Sequence, residues 1–357
     1  MPGLRKAQDV VRNLMRRHLT IILTILWTTT FGQSNFLKIE KISEGEEFHF
    51  PIIRCTDKLV EEKINVHLQL GELDLIKGKE KKSIFEVTTF NNGTIYGGKV
   101  SIDYEVLANT DKILSIKFNQ SSCGMTCAYW VRYHNFNPIN GDRYGLKDFF
   151  NDTNYKIFKS IITPLRQNKI KEQIKQLIKS GDKLEHLEEY LYSYIEDDDL
   201  DDFFFTSDSL YFDNENLLNK HDKFWDLDHI TAVSIETIKH LLNDFGKSAL
   251  ITGENLETFR SMTEPQLYDG TLNDKSNFYL LFKNNYQNNY IGTYAYKKYG
   301  RAIGLEGMLE NEEYVFNERN DNNDEVATIL FRQNGINLTG TWNDKKGTKL
   351  TLKATRK

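Results

Sequence analysis

From Gln266 to the C-terminus the chain alternates apolar and polar positions, and every break in the alternation is a turn. The segments run Gln266 to Leu272, Asn277 to Lys283, Asn289 to Lys297, Ala302 to Leu309, Glu313 to Glu318, Glu325 to Arg332, Ile336 to Trp342 and Thr348 to Ala354. A period of two puts alternate side chains on one face of a strand. In the last two segments Ile336, Leu338, Gly340 and Trp342 share a face, as do Leu350, Leu352 and Ala354, with Lys349, Thr351 and Lys353 opposite. Short strands in unbroken succession predict an all-β up-and-down barrel of eight strands, or a curled meander, over residues 266–357. Closure is how such a meander removes its sheet edges. Tyr290, Gly292, Tyr294 and Tyr296 fall on one face, so Tyr290, Tyr294 and Trp342 form a candidate ligand or core face. A barrel of about this size is either filled by side chains or holds one small ligand. Filling is the expectation, because aromatics more often pack than bind.

Upstream, residues 36–250 mix both periods and predict an α+β domain, an antiparallel sheet packed with helices. The run "LVEEKINVHLQLGEL" places Leu59, Ile64, Leu68 and Leu70 near one helical stripe. "SIFEVTTF", "GKVSIDYEVLA" and "KILSIKFN" alternate as strands, and residues 128–137 continue them. There Tyr129, Val131 and Tyr133 face one side and Trp130, Arg132 and His134 the other, before the turn "NPINGDR". Phe158 to Ile178 has helical spacing, with Pro164 expected to kink or restart the helix, and Leu184 to Tyr194 predicts a second one. Residues 203–245 return to strands and close on a short helix N-capped by Ser234. Loop signals between 246 and 266 set the domain boundary.

Residues 1–32 read differently. Arg16, Arg17 and His18 precede an apolar run from Leu19 to Trp27, then small and polar residues. That is the order of a secretory signal peptide, and the run is too short to span a bilayer. Met15 is the expected translation start and Gln33 the expected mature N-terminus. Five of the 46 basic residues and one of the 51 acids lie in this leader, which leaves a net charge of −9. Such a chain lacks the electrostatic footprint for nucleic acid and is repelled by anionic membranes. A periplasmic or secreted location with no membrane span after cleavage follows.

Candidate chemistry is sparse. Cys55, Cys123 and Cys127 all lie beyond the leader, and an exported chain meets oxidising conditions. Cys123 and Cys127, nearest in sequence, are the expected disulfide, leaving the partner of Cys55 open. Zinc at this pair and His134 would need about four ligands in tetrahedral array, and no second Cys or His pair sits at matching spacing. In "HDKFWDLDH", residues His221, Asp222, Asp226, Asp228 and His229 do not share one alternating face. Asp197, Asp198, Asp199, Asp201 and Asp202 lack EF-hand spacing, and Lys169, Lys171, Lys175 and Lys179 suit a solvated helix face. "GKS" at 246–248 lacks the first glycine of a phosphate loop. No catalytic residue, metal or cofactor is assigned.

"YHNFNPINGDRYGLKDFF" resembles the signature of a widespread exported bacterial domain of unknown function, carried here by Asn135, Phe136, Gly141, Leu146, Asp148, Phe149 and Phe150. That domain is similar to the ectodomain of lysozyme-sensing anti-sigma factors and to the non-catalytic N-terminal region of some peptidoglycan deacetylases. The resemblance extends over residues 48–245. The tail is similar to small β domains of secreted bacterial proteins, through Gly292, Tyr294 and Tyr296, then Ile336, Gly340 and Trp342. The chain has neither the transmembrane anchor of the former nor a deacetylase domain, so signalling and deacetylation do not carry over. The resemblance implies a non-catalytic binding protein of the cell envelope, with a lysozyme-like protein or a cell-wall glycan as ligand. The alternative is an envelope hydrolase using acidic residues, since any two of so many carboxylates can meet in space.

Overall fold

The computed structural model describes residues 36–89, 98–124, 126–180, 195, 200–217, 228–261, 263, 265–319 and 324–357. It begins with a hairpin, β1 (Lys38–Glu44) and β2 (Phe48–Arg54), followed by helix α1 (Lys58–Glu72). Asp57 caps α1 by accepting from the backbone N–H of Leu59 at 2.8 Å. Strands β3 (Lys99–Asn109), β4 (Leu114–Cys123) and β5 (Cys127–Phe136) complete a sheet of order β1-β2-β3-β4-β5. The β2–β3 pairing is parallel, the rest antiparallel.

Val60, Ile64 and Leu68 of α1 pack on this sheet with Phe50, Ile52, Ile116, Phe118 and Phe136. On another side of the helix, Val66 and Leu70 meet Leu267, Tyr279, Leu281 and Ala295. The helix is thus apolar in two directions, and the single predicted stripe needs correcting. Leu70 belongs to the second contact, and Leu59, in the first turn, is 69% exposed. "SIFEVTTF" is also corrected. Its described part, 83–89, forms turns rather than a strand. Glu86 and Thr89 donate their backbone N–H groups locally, to Ser83 and Phe85, so no ladder is left to form beyond one bridge to Lys99.

A 3-10 turn (Leu146–Phe149) leads into helix α2 (Asp152–Ser180), which runs as one element through Pro164 rather than restarting there. The predicted helix from Leu184 to Tyr194 lies outside the described residues. Strands β6 (Phe203–Phe205), β7 (Ser209–Asp213) and β8 (Ile230–Ser234) form a second sheet. Ser234 caps the short α3 (Ile235–Ile238) as expected. Loop signals mark residues 246–266, yet α4 (Asp244–Lys247) and a wide helical turn (Ser248–Thr252) occupy the start of that stretch. Phe149, Phe158, Phe203, Phe205, Phe212 and Ile238 form the core there.

The remainder is a closed antiparallel barrel: β9 (Tyr268–Leu272), β10 (Ser276–Tyr286), β11 (Asn289–Tyr296), β12 (Ala302–Glu310), β13 (Glu313–Arg319), β14 (Glu325–Asn334), β15 (Asn337–Asp344) and β16 (Lys349–Arg356). Every predicted strand is present, and β16 pairs with β9 to close the ring. Gly340 permits the tight coiling of β15, because a Cβ there would sit 1.8 Å from the Leu330 carbonyl oxygen. The fold class is therefore α+β followed by a closed β-barrel. Residues Leu37–Lys357 form one compact unit.

Candidate functional site

The stretch around the cysteines is a hairpin. Cys123 and Cys127 face each other at the end of the β4–β5 ladder and are bonded, with S–S 2.07 Å and Cα–Cα 4.0 Å. Cys55 is a free thiol whose Sγ donates to the Asp57 carbonyl at 3.0 Å. Burial, with Glu61 and Asp57 nearby, pushes that thiol up. His134 lies on the same hairpin but turns away to α1. Among the described residues no group of three or more His, Cys, Asp or Glu is arranged to hold a metal. Of the polar cluster at 221–229, only Asp228 and His229 are described, and Asp228 pairs with Lys169 at 2.5 Å. Asp197, Asp198 and Asp199 also fall outside the described residues.

The signature residues build the architecture. The Asn135 side chain accepts from Ser115 Oγ at 2.6 Å and donates to the Phe203 carbonyl at 2.9 Å, tying the two sheets together. Gly141 holds a left-handed φ of 75°, which lets the turn close against Lys63. The neighbouring Asp142 pairs with that lysine through a buried contact. Asp148 accepts from Gly145 N at 2.8 Å, Ser261 Oγ at 2.6 Å and Thr263 Oγ1 at 3.0 Å. One carboxylate thus clamps the segment that leads into the barrel. Phe136, Leu146, Phe149 and Phe150 are core.

The second polar centre was not foreseen in the sequence. Glu72, the last residue of α1, has no exposed side-chain surface. Its Oε1 accepts from His134 Nε2 at 2.7 Å and its Oε2 from Gln120 Nε2 at 2.5 Å. Lys99 and Arg132 each stand 3.6 Å away, and His67 packs edge-on against His134. Burial alone would raise the Glu72 carboxyl, but Arg132, the His134 hydrogen bond and Lys99 hold it well below the ordinary carboxylate range. Burial pushes both imidazoles down, His67 furthest, with Glu72 pulling His134 partly back up. An ionised carboxylate with both oxygens engaged and no surface is built to hold α1 to the sheet, not to meet a substrate. The only sequence signal was parity: Arg132 and His134 share a strand face.

Tyr290, Tyr294 and Trp342 all join the inward-facing cluster of the barrel, around Phe282, Phe316 and Phe331. Between Leu272, Phe278, Tyr294, Ile329 and Trp342 a cavity of about 10 Å³ remains. That admits about one water at most, so among the described residues the interior around these side chains is filled. Across one end, Tyr294 OH and Trp342 Nε1 both donate to Glu318 Oε2, at 2.8 and 2.9 Å. Burial and the Glu318 charge push the Tyr294 phenol far up, keeping it a neutral donor. Glu318 shares the parity of Tyr314 and Phe316, and a carboxylate at the end of an inward apolar series was the available signal for it.

Outside the barrel, a groove of about 390 Å³ lies across β9, β16 and β15. Asp269, Gly270, Thr271, Asn337, Leu338, Thr339, Lys353, Ala354 and Thr355 line it. Asn337 Oδ1 accepts from Thr355 Oγ1 at 2.9 Å, and Lys353 reaches Asp274 at 3.2 Å.

The fold that emerges is an α+β region whose helix α1 is shared with a filled, closed barrel. No family model matches the chain, and no curated protein matches it. Among solved structures, it is similar to the crystal structure of a member of the DUF3298 family from Bacteroides fragilis NCTC 9343. The two share 15% sequence identity with a TM-score of 0.43, over 62% of this chain and 100% of that one.

Proposed function

We propose that this chain is an extracytoplasmic, non-catalytic binding protein whose ligand is a cell-wall glycan held in the groove on β9, β15 and β16. The observation that carries this reading is the groove's lining. Thr271, Thr339, Thr355 and Asn337 line one open groove of about 390 Å³ together with Asp269, paired to Lys297 at 2.7 Å, and Lys353, paired to Asp274 at 3.2 Å. That volume is in the range of small-ligand sites, and neutral hydrogen-bonding groups on a rigid sheet suit sugar hydroxyls. The Cys123–Cys127 bond supports an oxidising compartment, and among the described residues no helix is long and apolar enough to cross a membrane.

Titration with soluble cell-wall glycan fragments, followed by calorimetry, tests the reading. Thr339→Val and Asn337→Leu should each weaken binding by about tenfold, the cost of one or two lost hydrogen bonds. Absence of glycan binding, with tight binding of a lysozyme-like protein instead, would replace the ligand class. N-terminal sequencing of exported protein checks the compartment, and a start near Gln33 is expected.

A further inference from the structure

Glu318 is an anion without a cation. Among the described residues no Lys or Arg pairs with it, and its two hydrogen-bond donors, Tyr294 and Trp342, are neutral and share the one oxygen Oε2. The next residue, Arg319, points to the other side of the strand and pairs with Glu306 at 3.2 Å. A half-buried carboxylate is costly unless a positive charge compensates it. The rings around it are electron-rich. Tyr296 stands edge-on to Tyr294 at 5.5 Å, and Tyr299 edge-on to Tyr296 at 6.3 Å. Exposure increases along this series: Tyr294 is buried, Tyr296 and Trp342 are partly buried, and Tyr299 is 62% exposed with the Lys298 ammonium 5.2 Å over its ring. Ring faces attract cations, most strongly Trp, and more so where water is partly excluded.

We propose that this end of the barrel is a binding site for an organic ammonium group, seated against Glu318 beside Trp342 and Tyr296. The filled interior below limits the site to a head group rather than a whole small molecule. The ammonium of an amino sugar and that of a lysyl side chain present the same chemistry to it. The site lies on the inward face of the barrel and is independent of the outer groove, so either reading can fail alone.

The test is NMR on the purified protein, following the indole N–H of Trp342, which donates to Glu318 and is assigned by its loss in Trp342→Phe. Tetramethylammonium, glucosamine and Nα-acetyl-lysine methylamide are titrated at constant ionic strength. Saturable shifts are expected, with the tighter of the last two identifying the source, and uncharged N-acetylglucosamine is expected to be silent. Glu318→Gln should weaken binding by about tenfold or more. Should that variant fail to fold, Tyr296→Ala removes a partly exposed ring and must still weaken binding. Equal shifts from sodium chloride, or unchanged titration of the folded variants, overturn the proposal.

Discussion

Replacing Glu72 by Gln removes one charge from a fully buried position while keeping the side-chain shape. The native carboxylate faces His134, Gln120, Lys99 and Arg132, so the change leaves cations facing a neutral amide. It also sets the new amide N–H₂ against an existing donor. Breaking a buried pair by deleting one partner typically costs about 3–5 kcal/mol. Arg132 is 52% exposed and its share is screened by water, whereas Lys99 is only 14% exposed. A loss of about 3 kcal/mol is therefore expected, read as a lower urea midpoint at unchanged slope. The double variant Glu72→Gln with Lys99→Met should recover about 1–2 kcal/mol of it, because the stranded ammonium goes too. The sign with pH follows from the lowered Glu72 value. Its stabilisation is fully present above the ordinary carboxyl pKa of 4.5 and is lost as pH falls from there toward the folded value. The gap between wild type and variant must therefore narrow on acidification. If Glu72→Gln matched wild type within about 0.5 kcal/mol at neutral pH, or the gap ignored pH, the buried ion cluster would not be holding α1 to the sheet.

Trp342→Ala should cost about 3 kcal/mol, the low end for an aromatic truncation because the indole is only partly buried, whereas Lys349→Ala on the outer face should change thermal stability by under about 0.5 kcal/mol. The fragment 266–357 should keep its barrel when isolated, since its interior is self-contained, but expose Leu267, Tyr279 and Leu281 and self-associate; a disordered fragment by circular dichroism would make α1 part of the barrel's folding unit. Burial lowers His67 and His134 below their ordinary value of 6.5, so the unfolded chain takes up protons first and stability should decline as pH falls below 6.5; His67→Phe should flatten that decline in urea titrations. Reducing Cys123–Cys127 should cost about 2 kcal/mol, because the closed loop is short and loop-closure entropy grows with length; a much larger loss would point to strands held together by the bond.

Much of this fold is written in local period. Each barrel strand, the inward set from Tyr290 to Leu350, the two faces of β5 and the Ser234 cap follow from alternation or from a residue's own backbone bonds, and neighbours in space only reinforce them. Where the period is short or shared, packing between distant segments sets the outcome. "SIFEVTTF" alternates like a strand, yet Ile84 and Phe85 reach the core from a turn because their neighbours' N–H groups bond locally. The second stripe of α1, Val66 and Leu70, has meaning only once a barrel wall stands beside it. The two carboxylates that matter most, Glu72 and Glu318, look in the sequence like any other acid. Their partners lie 48 and 62 residues away for Glu72, and 24 in either direction for Glu318, and no local pattern records such distances. Charge and hydrogen bonding act through space, so those sites exist only after the chain has closed on itself.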